Sequence, residues 1–285
     1  MSITLTQSKI IPANDQKTGH LPLLNRPIAV FDAGIGSYAA VAAIQRLLPQ
    51  QDILYFADRA SFPYGSKSRS ELLAILRRTL LFLDEFKPTA VLVASNVPSI
   101  TVLDDLTNII EAPIFGIRPP IKEALDASGT GDVAVLGVQS MIQSPELQDF
   151  VYKEAQARAR RVHLVNASSL VDLVENGDFL FAPDKTLQQV SDFLDNLDIK
   201  YPNLAALTLS STHLPWLRNF FEKARPHQLL FDPLEVAIQA IVPCSIPGSG
   251  AVLALVTENE RYRAHDFQQM LSRLNVTIPL YTVHA

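Results

Sequence analysis

Ile28-Ala29-Val30-Phe31-Asp32-Ala33-Gly34-Ile35-Gly36-Ser37-Tyr38-Ala39 runs from four apolar residues through an acid and a glycine-bearing turn into a helical pattern. An unbroken apolar run suits a strand buried on both faces, as in a parallel sheet covered by helices, whereas a strand with one wet face would alternate. The unit recurs along the chain. Ile28 to Phe31, Ile53 to Phe56, Ala90 to Ala94, Val133 to Leu136, Ala205 to Leu209 and Ala251 to Val256 read as such strands. Apolar residues at helical spacing predict helices over about 38–48, 69–86, 99–110, 144–158, 185–198, 215–224 and 264–274. This alternation predicts an α/β protein with parallel sheets.

The 285 residues are 48% hydrophobic, enough for one large or two modest cores. A net charge of −5 argues against a nucleic-acid partner, which normally requires a basic face. No apolar run approaches the roughly 18 residues that span a bilayer, so no membrane role is expected. Residues 1–26 have no continuous apolar core and read as a loose N-terminal extension rather than a secretory signal. The single cysteine, Cys244, can form neither an internal disulfide nor a thiolate metal site. It fits a reducing compartment and a structural role.

Two strand ends resemble each other. Val91-Leu92-Val93-Ala94-Ser95-Asn96-Val97-Pro98 and Leu207-Thr208-Leu209-Ser210-Ser211-Thr212-His213-Leu214-Pro215 both pass from strand to small hydroxyl residue, polar residue and proline. Proline fits the first turn of a helix, where its missing N–H costs nothing. Turns between strands and helices favour such residues anyway, and Ser95 and Ser211 could simply cap the helices after them. Two such turns, one in each half, point instead to related domains that offer strand ends to a ligand.

The first turn also satisfies G-x-G-x-x-[GA] through Gly34, Gly36 and Ala39, with Asp58 closing the next strand, so a dinucleotide site is one reading. Asp32 at its mouth would repel a pyrophosphate, and a plain tight turn explains the glycines equally well. After Asp58 comes the loop Phe62-Pro63-Tyr64-Gly65. It could present backbone N–H groups to a ligand or be inert.

Phe31-Asp32-Ala33-Gly34-Ile35-Gly36 is similar to the F-D-S-G-V-G of glutamate racemases, and Asp58 with Phe62-Pro63-Tyr64-Gly65 resembles their G-D-T-A-x-x-P-Y-G. In the same order, Ala94-Ser95-Asn96-Val97-Pro98-Ser99 stands where the family has A-C-N-T-A-S. Pro113-Ile114-Phe115-Gly116 resembles P-V-I-G, and Val171-Asp172-Leu173-Val174-Glu175-Asn176-Gly177 resembles V-P-L-V-E-x-G. Leu209-Ser210-Ser211-Thr212-His213-Leu214-Pro215 is similar to L-G-C-T-H-Y-P, and Phe231-Asp232-Pro233 to the late D-P. The resemblance runs from residue 27 onward.

It implies an aspartate/glutamate racemase-like fold of two similar α/β domains, with the site in the interdomain cleft. The domains would be 27–117 plus 233–285, and 118–232. It further implies cofactor-independent, metal-free interconversion of L- and D-glutamate, in which one cysteine removes the Cα proton and another reprotonates the opposite face. Carried over by position, Ser95 and Ser211 take the two acid/base places, Asp32 and His213 support them, and Glu175 is auxiliary. Asp32, Ala33, Tyr64, Gly65, Asn96, Val97, Thr212 and His213 would surround a small amino-acid substrate. The usual family role is D-glutamate supply for peptidoglycan, in the cytoplasm; racemases of this type commonly self-associate, so a homodimer is expected.

Departures from the pattern bear on activity. Serine is a far weaker acid than cysteine, so racemisation is expected to be lost or strongly reduced. Ala33 and Val97 replace hydroxyl residues that contact substrate in the family, which weakens the hold on glutamate. A non-catalytic or repurposed acid-binding relative, or an engineered Cys-to-Ser variant, is the alternative. His213 could activate Ser211 as in serine hydrolases, but without a G-x-S-x-G elbow, acyl transfer is not expected. Taken singly, Asp32 is a turn residue, His213 a structural histidine and Glu175 a solvated helix end.

Overall fold

A computed structural model of the chain describes residues 10–12 and 22–283. The chain forms two compact units, one from Met1–Ile117 and Ala237–Ala285, the other from Arg118–Val236.

The first unit contains strands β1 (Ile10–Pro12), β2 (Ile28–Asp32), β3 (Ile53–Asp58), β4 (Ala90–Val93) and β5 (Ile114–Gly116). The second contains β6 (Asp132–Gly137), β7 (Val162–Asn166), β8 (Leu204–Leu209) and β9 (Leu229–Phe231). β10 (Val252–Thr257) and β11 (Leu280–Val283) then return to the first. The first sheet has the order β1-β11-β10-β3-β2-β4-β5 and is parallel except where β1 runs antiparallel to β11. The second is parallel throughout, in the order β7-β6-β8-β9. Every residue of β2, β3 and β4 is buried, which is why these strands are continuous apolar runs.

Both units use one plan. Within β2 to β5 the spatial order is second, first, third, fourth strand, and β6 to β9 repeat it. The third strands, β4 and β8, run into Ser95 and the Ser210-Ser211 pair, so the two similar turns stand at equivalent places. Two α/β units with parallel sheets flanked by helices are thus the architecture.

Helix Arg69–Asp84 shows how local sequence places its packing face. Ser68 accepts from the Glu71 N–H at 3.3 Å while Glu71 accepts from the Ser68 N–H at 2.8 Å, a reciprocal cap. Leu72, Leu76, Leu80 and Leu83 then recur at helical spacing and are all buried against the sheet's core. The second unit's core gathers Leu136, Leu207, Leu209, Leu170, Leu194 and Phe221. Among the described residues, no helix is long and apolar enough to cross a membrane.

Two expectations need correction. The helix expected over 99–110 is Asn96–Thr101 followed by one 3-10 turn, Leu103–Leu106. The β-branched run Ile100-Thr101-Val102 resists helix, and Val102 leaves it at φ −137°. Within the extension 1–26, residues 10–12 form an edge strand beside β11, and the Asn25 N–H donates to Asp52 Oδ2 at 2.7 Å. Residues 1–9 and 13–21 lie outside the described residues. Helices Ile121–Ala127, Ser168–Glu175 and Pro233–Ile241 and strands β5, β7, β9 and β11 were not expected.

Candidate active site

In an open α/β sheet, ligands favour the carboxyl ends of strands where the strand order reverses. In the first unit that place is between β2 and β4, whose ends carry Asp32 and Ser95. The Ala94 N–H donates to the Phe31 carbonyl at 2.8 Å, extending the pairing to the two turns. Asp32 and Ser95 are buried, at 4% and 8% exposure. Ser95 occupies the cap position of helix Asn96–Thr101 but makes no capping bond with its side chain, so capping does not explain it.

Its backbone is held elsewhere. Ser99 Oγ donates to the Ser95 carbonyl at 2.6 Å and accepts from the Ile117 N–H at 3.0 Å, joining this turn to the segment after β5. Asn96 donates through Nδ2 to the Ile117 carbonyl at 3.2 Å, while its buried Oδ1 has no hydrogen-bond partner among the described residues. That oxygen is a ready acceptor for an ammonium group. Ala33 is buried, and Val97 packs partly against the core, so both present apolar surface.

Tyr64 is drawn inward. Its hydroxyl donates to Asp58 Oδ2 at 3.1 Å, and Thr257 Oγ1 donates to Asp58 Oδ1 at 2.8 Å. Burial, with the charges of Asp58 and Asp32, pushes the Tyr64 hydroxyl well above its ordinary value, so it stays protonated. Gly65 is half-buried beside it.

One residue that no motif marked belongs to this constellation. Arg59 directly follows β3, is 5% exposed, and donates from Nη1 to the Ala33 carbonyl at 2.8 Å. Its guanidinium lies 4.3 Å from the Phe62 ring centre and 5.1 Å from that of Phe267. A lone arginine after an apolar strand was the only signal, and nothing local says which carbonyl it meets.

The glycine turn is internally satisfied. Ser37 Oγ donates to the Gly34 carbonyl at 3.0 Å and shares a 3.1 Å bond with the Tyr55 hydroxyl. The segment Ile35–Ser37 is 3-10, and the long helix begins only at Tyr38. This weakens the dinucleotide reading, which needs a helix start opening directly from the turn.

In the second unit, Ser211, Thr212 and His213 follow β8, and Pro215 lies in the first turn of the 3-10 segment Leu214–Leu217. Ser210 bonds inward to Thr208 Oγ1 at 2.8 Å. Ser211 Oγ lies 3.4 Å from His213 Nδ1, and the His213 N–H points to the same oxygen at 3.4 Å. His213 Nε2 meets Glu175 Oε1. Glu175 is delivered by the end of helix Ser168–Glu175, which Gly177 closes at φ +76°. A carboxylate accepting from Nε2–H leaves Nδ1 as an acceptor for the Ser211 hydroxyl. Thr212 is half-buried.

Near the end of this unit, burial, with Glu235 adding to it, pushes the Asp232 carboxyl up to about 6, against the opposing Leu234 N–H and Arg218. Among the described residues no group of three or more His, Cys, Asp and Glu is placed to hold a metal ion. Of the residues expected in the site, Ser211, His213 and Glu175 are brought into direct contact in the second unit. Asp32, Ala33, Ser95, Asn96 and Val97 lie at or just beyond neighbouring strand ends of the first.

No protein-family model matches the chain. Among curated proteins, glutamate racemase of Thermus thermophilus is 32% identical over 253 residues, 84% of this chain and 90% of that protein. Glutamate racemase of Deinococcus radiodurans is 35% identical over 191 residues, 67% of this chain but 64% of the relative, less than two thirds of its length. Among solved structures, the Thermus thermophilus glutamate racemase in complex with β-chloro-D-alanine has a TM-score of 0.71 at 27% identity, over 90% of this chain and 96% of that one. The glutamate racemase RacE1 of Bacillus anthracis reaches 0.76 at 23% identity, over 91% and 98%, a likeness of fold.

Proposed function

The chain belongs to the glutamate racemase family, and from that premise we propose that it binds a glutamate-like amino acid, with Ser95 and Ser211 at the family's two cysteine positions. The observation that carries this reading is the pair of equivalent turns after β4 and β8, each bringing a buried serine to a strand end. Asn96 Oδ1, unpartnered and buried, supplies an acceptor for the substrate ammonium group. The reaction is a direct Cα proton transfer by side chains alone, on a free amino acid in the cytoplasm.

The serines set its rate. Each pKa unit by which a hydroxyl exceeds a thiol removes about tenfold of the charged base. Ser211 keeps a histidine and carboxylate behind it; Ser95 Oγ makes no cap bond. Racemisation is therefore strongly reduced. The test is exchange of the Cα proton of L- and D-glutamate and L- and D-aspartate in heavy water, for the chain and for a Ser95→Cys, Ser211→Cys variant. Little exchange by the chain and clear glutamate exchange by the variant are expected. Rapid exchange by the unaltered chain would sink the view that the serines limit it.

The apolar character of Ala33 and Val97 favours a second reading, a small-acid-binding relative without turnover. Persistent inactivity of the double variant together with saturable glutamate binding would select it.

A further inference from the structure

Ser211 and His213 of the turn after β8 meet Glu175 from the end of helix Ser168–Glu175. Ser211, His213 and Glu175 form a continuous line of contacts: hydroxyl to Nδ1 at 3.4 Å, then Nε2 to carboxylate. We propose that Ser211 is an acyl-accepting nucleophile toward small carboxylic esters, with His213 as its general base and Glu175 as the positioning residue for His213.

Three observations carry the assignment. Glu175 accepts from Nε2, which fixes the imidazole tautomer with its free lone pair toward Ser211. The ring is buried at 8% exposure, so its orientation is not left to solvent. The peptide N–H of His213 points at Ser211 Oγ from 3.4 Å, which engages a lone pair of that oxygen and leaves the hydroxyl proton to point at His213 Nδ1. The missing G-x-S-x-G elbow matters less than the sequence implied. A strand end leading straight into a short helical turn already sets Ser211 beyond the carboxyl end of β8, an interior strand of a parallel sheet.

The chemistry balances without any added cofactor. Ser211 Oγ bonds to the ester carbonyl carbon as its proton passes to His213 Nδ1; the carbon–oxygen bond to the leaving group breaks, and the departing oxygen takes that proton. Water, deprotonated by His213, then attacks the acyl-serine, freeing the carboxylic acid and restoring the hydroxyl. Ser211 is only 7% exposed, so the acyl group must be small. The inference does not rest on glutamate being the ligand, and its failure leaves the amino-acid reading untouched.

The test uses the full chain and p-nitrophenyl acetate as the probe, with intact-mass and peptide-mass measurement after a short incubation. A burst of p-nitrophenolate near one equivalent and one acetyl group on the peptide containing Ser211 are expected. Ser211→Ala should abolish both, and Ser211→Cys should carry a thioester at the same position, which guards against misfolding of the alanine variant. His213→Gln should slow acylation about a hundredfold or more. Glu175→Gln should alter the pH profile of acylation, a readout that a merely structural role would not move. Acetylation elsewhere in the chain, or equal bursts from the chain and Ser211→Ala, would overturn the proposal.

Discussion

The Tyr64 hydroxyl donates a hydrogen bond to Asp58 Oδ2, 3.1 Å away, so a residue of the loop after β3 is anchored to the end of that strand beneath it. Because Thr257 satisfies the other Asp58 oxygen, the loop is tied to β10 as well. Tyr64→Phe leaves a buried carboxylate oxygen one donor short. Such a loss costs about 1–2 kcal/mol, and chemical denaturation should read that destabilisation without loss of fold.

Asp52 predicts the acid side of stability. Burial works against its charge, but hydrogen bonds from the Asn25 N–H, Ser249 Oγ, Ala251 N–H and Ser249 N–H outweigh it and hold the carboxyl below the usual range. A lowered folded value stabilises above the ordinary carboxylate range, and the benefit is lost as pH falls through the folded value. Asp52→Ala should cost about 1–3 kcal/mol at neutral pH, since it removes the shared charged acceptor of several hydrogen bonds. Its thermal midpoint should fall less steeply in acid than that of the parent.

Asp232 acts in the opposite sense. With its carboxyl raised to about 6, the folded chain holds a proton that the unfolded chain has released, so stability declines as pH rises from about 4 to about 6. Asp232→Asn keeps an acceptor for the Leu234 N–H, bonded at 2.9 Å, and removes the titration. It should gain on the order of 1–2 kcal/mol at pH 7, after allowance for solvent screening, and flatten the pH dependence of the melting temperature over that window.

Gly116 controls the Ser95 turn from a distance. A Cβ there would stand 2.7 Å from Ser99 Oγ and 2.5 Å from Leu103 Cδ2, and Ser99 is what holds the Ser95 carbonyl. Gly116→Ala should destabilise by about 1–3 kcal/mol. In the Ser95→Cys, Ser211→Cys background it should also depress exchange further than the stability loss explains, measured at a temperature where the fold is intact.

These residues differ in how far the sequence announces them. β2, β3, β4, β6, β8 and β10 were legible to within about two residues because two-sided burial demands unbroken apolar runs. β5 and β9 have three residues each, and β7 is only half-buried and carries His163, so they lack that signature. Ser95, Ser211, His213 and Glu175 were named through motif resemblance. That Glu175 reaches His213 across 38 positions is a fact of packing in the second unit, invisible to any local pattern. The contact of Arg59 with the Ala33 carbonyl is of the same kind.

The order of strands has a consequence for how the chain acquires its fold. β3 pairs with β10 from Ile53–Val252 through Asp58–Thr257, so its partner arrives about 200 residues later, after the whole of the second unit has been synthesised. Residues 118–236 are contiguous and can close their own sheet as they emerge. Until β10 arrives, β3 is a strand apolar up to its terminal Asp58, with one open edge, the kind of surface that recruits other chains. A chain ending before residue 252 should therefore aggregate through β3, even though the Ser211 turn would be complete.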